Sequence, residues 1–153
     1  MAIKIPTKDE TIKVIASMDS AVESDSEAYD KYLETLDESH LKFIDGEAPT
    51  RFVMRKVLPF KLSQRVQNQQ VEIVDGKAKI LPAFMSEEVR CALVGIENPP
   101  SLPLADQIKF EKDSDGGASE KLMESLVAAG IVYDLYKARA YSISGMSEAL
   151  KKK

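Results

Sequence analysis

The chain has 153 residues, 44% of them apolar and 30% charged, with a formal net charge of -4, which suits one ordinary domain able to bury a core of its own. A single cysteine rules out an internal disulfide and a single histidine leaves little for a zinc site. No apolar run nears the ~20 residues of a membrane span, the opening MAIKIPTKDE lacks a secretion-signal profile, and an acidic total argues against nucleic acid as the main ligand.

Thr7-Lys8-Asp9-Glu10 has the form of a capping box. The TIKVIASM that follows is rich in β-branched residues and fits either a short helix or a strand. Ala21 to Asp25 is a polar linker. Ser26 is placed to cap a helix in which Tyr29, Tyr32, Leu33 and Leu36 line one stripe of an otherwise acidic surface. Beyond it Leu41 and Phe43 alternate with His40 and Lys42, and Phe52 and Met54 alternate with Arg51, Val53 and Arg55. With Asp45-Gly46 and Pro49 as turn residues between them, the two runs predict an antiparallel hairpin, its Leu/Phe and Phe/Met faces turned inward.

Pro59 suits the first turn of a helix, KLSQRVQNQQ, that sets Lys61 and Arg65 on one side. VEIV-DG-KAKI predicts a second hairpin closed by a type I′ turn at Asp75-Gly76. Its register pairs Val71 with Ile80 and Ile73 with Ala78 on one face, and Glu72 with Lys79 on the other. Ser86 opens a predicted helix, EEVRCALVGI, with Val89, Ala92, Leu93 and Ile96 as its apolar face, ending before Pro99-Pro100. Residues 99–108 read as an extended connector and 113–119 as a loop. Ser119 caps the last helical stretch, where Leu122, Leu126, Ala129, Tyr133, Tyr136, Ala140 and Ile143 recur every three or four residues. Gly130 lies inside one long helix or divides two, and Gly145 is the expected end.

These elements predict an α+β fold, a small antiparallel sheet of two β-hairpins packed with three to five helices. One domain, 1–153, is expected. It comprises an acidic helical segment (1–40), hairpins with a connecting helix (41–81), a helix (86–97) and a C-terminal helical segment (119–145).

Charge is uneven along this order. Residues 1–50 hold 12 acids and 5 bases, 51–100 hold 5 acids and 8 bases, and 101–153 hold 8 of each. An acidic front beside a basic middle permits complementary contact within one chain or between copies. Catalytic patterns are missing. His40 has no nearby nucleophile, and Cys91 sits within a predicted amphipathic helix, where a core thiol is expected. Asp113-Ser114-Asp115-Gly116-Gly117 breaks the calcium-loop spacing after Asp115. Glu87-Glu88 and Glu23-Asp25-Glu27 read as solvated acids, and neither a P-loop nor G-x-G-x-x-G occurs. No catalytic, metal or cofactor residue is therefore expected. The candidates for interaction are Arg51, Arg55, Lys61 and Arg65 in the basic middle, and Tyr133, Tyr136, Arg139 and Tyr141 in the last helix.

The segment PTRFVMRKVLPFKLSQRVQ, followed by a helix, a proline connector and a terminal tyrosine-bearing helix, resembles small virion accessory proteins of tailed bacteriophages, tail assembly chaperones in particular. In those proteins a short strand of the form F-x-hydrophobic-R-x-hydrophobic precedes a polar helix, and here Phe52, Met54, Arg55 and Val57 stand in that segment. The resemblance implies a virion or virion-assembly role without catalysis, in the virion or host cytoplasm, through self-association or docking on a larger assembly. Other readings are a cellular adaptor or regulatory module, an enzyme whose site forms only between subunits or with a metal brought by a partner, and a nucleic-acid binder using the basic stripe.

Overall fold

A computed structural model of the chain describes residues 10–67, 71–74, 76–80, 82–100 and 108–151. Its centre is strand β2 (Arg51–Arg55), flanked by β1 (Thr11–Val14) and β5 (Leu93–Glu97), both antiparallel to it. Alternation decides which way each side chain goes. Phe52 and Met54 are buried with Ile12 and Val14 from β1, while Arg51, Val53 and Arg55 take the other face with Thr11 and Lys13. The ambiguous TIKV run is thus a strand lying within the segment expected to be helical. The β2–β5 register shifts between Val53 and Met54, a local irregularity of the bulge kind.

Three expectations are corrected. Leu41–Phe43 is not a strand paired with β2; a 3₁₀ turn (Glu38–His40) leads into it, and Phe43 makes only an isolated bridge to Val22. A strand buried on one face and central in its sheet needs neighbours on both sides. Those here lie some 40 residues away in either direction, where local pattern has no reach. Second, the helix expected from Ser86 to Ile96 is α3 (Pro82–Ala92), and the chain then passes directly into β5. Val94, Gly95 and Ile96 are poor helix formers, and sheet pairing outweighs their helical spacing. Pro82 occupies the first helical position, where its missing N–H costs nothing. Third, Gly145 does not end the last helix, which runs on to Lys151.

The other elements follow their sequences closely. Helix α1 (Ser26–Thr35) is capped by Asp25 rather than Ser26, its carboxylate accepting the Ala28 N–H at 2.8 Å. It stops at Leu36, whose φ of 56° is unusual for a leucine. Helix α2 (Phe60–Gln67) follows Pro59. Strands β3 (Val71–Val74) and β4 (Lys77–Ile80) pair in the expected register around Gly76 at φ 77°; Asp75 of that turn is outside the described residues, as is the capping-box sequence at 7–9. Ser119 caps α4 (Glu120–Ala128), accepting from the Leu122 N–H at 3.2 Å. Gly130, at φ 75°, divides α4 from α5 (Val132–Lys151). The fold is α+β: among the described residues, a three-stranded antiparallel sheet and a separate hairpin with five α-helices.

Helices α1, α4 and α5 supply Tyr32, Leu33, Leu126 and Leu135 to the core over the sheet's apolar face. A smaller cluster of Leu62, Val66, Phe84 and Cys91 joins α2 to α3, with Leu58 and Tyr136 packed against both clusters. Two tyrosines tie α1 to the end of β1. Tyr29 donates to the Ile15 carbonyl at 2.8 Å, and the Tyr32 hydroxyl accepts the Ile15 N–H at 2.9 Å. Burial pushes the Tyr32 hydroxyl up to about 12 and Tyr29 higher still, with the Asp134 carboxylate adding to the rise, so both stay protonated. Among the described residues no helix is long and apolar enough to cross a membrane.

Candidate interaction site

The basic middle of the chain is spent largely on internal pairing. Arg51 forks onto Glu38, its Nε and Nη2 lying 3.0 and 2.7 Å from the two carboxylate oxygens. Lys56 reaches Glu10 at 3.8 Å, and Lys13 meets Glu97 at 2.8 Å across the outward sheet face. Arg51 and Arg55 do share that face, as expected, but the acidic front meets the basic middle inside this chain. Arg55 reaches the Gly116 carbonyl at 3.3 Å, while its Nε is buried without a hydrogen-bond partner among the described residues. Lys61 is exposed on α2, and the side chain of Arg65 lies outside the described residues.

A polar network that sequence reasoning missed is built on α3. Arg90 lies 2.7 Å from Glu87 and 2.6 Å from Asp115, and also donates to the Ala118 carbonyl at 3.3 Å. The predicted glycine loop is thereby folded onto α3. Its bend brings Gly117 so near that a Cβ there would stand 2.7 Å from Arg90 Nη1 and 3.2 Å from the Arg90 carbonyl oxygen. Asp113 and Asp115, which hinted at a calcium loop, serve the guanidinium instead. The visible signal was the i,i+3 spacing of Glu87 and Arg90; nothing local announced Asp115.

On the next face of α3, Glu88 pairs at 3.3 Å with Arg139 of α5. Arg139 is only 4% exposed, and it donates to the Arg55 and Lys56 carbonyls at 3.1 and 2.7 Å, binding α5 to the end of β2. This corrects its expected place on a contact surface. Tyr136 likewise turns inward, edge-on to Phe84 with ring centroids 6.2 Å apart. Burial raises the Glu88 carboxyl although Arg139 pulls it back, whereas the Arg90 hydrogen bonds hold Glu87 below its ordinary value.

Those opposite directions give a pH prediction. A carboxylate lowered on folding contributes stability that is complete above its unfolded value, 4.5 for Glu87, and disappears as pH falls through the folded value. Glu87→Gln is expected to cost roughly 1.5–3 kcal/mol at pH 7, with the gap from the native chain closing in strong acid. Urea midpoints at pH 7 and pH 3 check this; an equal gap at both would show that ionisation of Glu87 does not matter. Glu88 acts with the opposite sign, its ionised form costing stability as pH rises above 4.5.

The groups with chemical potential stay apart. Cys91 is wholly buried and burial pushes its thiol up to about 11, a structural thiol rather than a nucleophile. His40 stands exposed in the 3₁₀ turn. An open cleft of about 530 Å³ at the end of the sheet includes neither of them. Ala16, Phe52, Ile108 and Ile131 line it with Asp19, Thr50 and Asn98. The polar groups there bond to one another's backbone: Asp19 accepts the Ala21 and Thr50 N–H groups, Thr50 donates to the Asn98 carbonyl, and Asn98 donates to the Ala48 carbonyl.

What turns outward in an ordered row lies on α5. Tyr133 is 57% and Tyr141 37% exposed, with Lys137 between them, its ammonium 5.3 and 5.9 Å from the two ring centroids. Spacings of four place all three on one stripe, opposite Leu135, Ala138 and Arg139. Other exposed apolar side chains, Met18, Phe60 and Val127 among them, stand on other elements, which is ordinary for a protein surface. Comparison with protein-family models, with curated proteins and with solved structures finds no match to this chain.

Proposed function

We propose that this chain is a non-enzymatic protein of the bacteriophage structural or virion-assembly kind that works through protein–protein contacts, and that the outward stripe of α5 makes the principal contact. The observation that carries the reading is the Tyr133–Lys137–Tyr141 row. Tyrosine offers a large apolar ring with a polar tip and little rotamer entropy to lose, the composition of interface hot spots. Stacking on Lys137 holds both rings in place before a partner arrives, for about 0.5–1 kcal/mol per pair. The virion-assembly character rests on the resemblance around Phe52, Met54, Arg55 and Val57; the contact role rests on α5 alone.

A photo-crosslinking residue placed at Tyr133 or Tyr141, in the full chain in its producing cell, tests the contact role, with Glu47 as a control position. Discrete protein adducts at both tyrosine positions and none at Glu47 are the expected result. Equal labelling at all three, or none at the tyrosines, would remove the role given to α5.

A further inference from the structure

We infer that the occupant of the α5 stripe is a second copy of this chain, whose acidic α1 face lies on it in a twofold pair. The inference rests on the contact role proposed for α5 and names its partner. Glu27, Asp30 and Glu34 are exposed along one face of α1, with the exposed Lys31 among them, opposite the buried Tyr29, Tyr32 and Leu33. Among the described residues none of these three carboxylates takes part in an ion pair, although the carboxylates of Glu38, Glu87, Glu88 and Glu97 all do. Lys137 is the complementary case: its described partners are two tyrosine rings, with no carboxylate. Unpaired charges of opposite sign therefore lie on two helices that pack against each other in the same chain.

The two stripes match in length. From Glu27 to Glu34 the rise is about 10 Å, and from Tyr133 to Tyr141 about 12 Å, at 1.5 Å per residue. In a twofold pair that sets each α1 on the partner's α5, the same contact would form twice. Laying α5 on its own copy instead would oppose Lys137 to Lys137, a like-charge contact. The α1 pairing gives the ammonium a carboxylate while the tyrosine rings cover the helix stems.

Sedimentation equilibrium of the full chain at low and high salt tests this, with circular dichroism confirming that each variant is folded. The native chain is expected to dimerise at low salt and to weaken as salt rises. Lys137→Glu and Glu34→Lys alone should each raise the dimer dissociation constant at least about tenfold, and the two combined should restore most of the affinity. A strict monomer at high concentration, or a dimer indifferent to both single reversals, overturns the inference. Failure here is distinct from failure of the contact role. Adducts at Tyr133 to a different protein would keep that role and exclude the second copy; no adducts would end both.

Discussion

Replacing Arg139 with alanine is expected to destabilise the fold by about 3–5 kcal/mol, the usual cost of breaking a buried ion pair from one side. The guanidinium satisfies the Arg55 and Lys56 carbonyls and faces Glu88, whose side chain is only 17% exposed. Alanine would leave that carboxylate buried without its cation, and the end of β2 without donors. Urea unfolding at pH 7 measures the loss. Glu88→Gln combined with Arg139→Met should recover a large part of it, because a neutral pair leaves no isolated charge behind. If the double variant were as unstable as Arg139→Ala, the two backbone carbonyls, rather than Glu88, would be what Arg139 chiefly serves.

Leu135→Ala is the second large effect, expected at about 2–5 kcal/mol. Leu135 is fully buried on the inward side of α5. Truncation removes apolar contact and leaves a cavity that neighbours on a sheet and packed helices close only in part. Its outward neighbours Tyr133 and Lys137 are untouched, so the variant separates stability from recognition. The urea midpoint should fall, while the folded fraction keeps the native dimer affinity. A change in affinity equal to that of Lys137→Glu would mean that the stripe depends on core packing and not on its own chemistry.

How far these residues could be read in advance depends on the range of the interaction that places them. The Asp75-Gly76 hairpin was legible to the residue pair because turn type, alternation and cross-strand chemistry agree within ten positions. The stripe of α1, the Ser119 cap and the in–out alternation of RFVMR were legible for the same reason. Leu93–Glu97 was not: its apolar spacing continues the helix before it, and only the open edge of β2 makes a strand the better outcome. Of the residues expected to interact, Tyr133 and Tyr141 stand exposed on α5. Tyr136 and Arg139, proposed alongside them, lie on the buried side of the same helix.

The amino-acid order alone determined the α+β class and the periodicity of each main helix, since those properties depend on neighbours within one or two turns. Tertiary structure decided which strands flank β2, that the acidic and basic thirds meet through Glu38–Arg51 and Glu10–Lys56, and that one cation of the last helix is buried while another faces outward. A charge carries its sign in the sequence. Whether it is spent on the chain's own interior or left for another molecule depends on what folding brings within a few ångströms of it, because desolvation and Coulomb attraction both act over that distance.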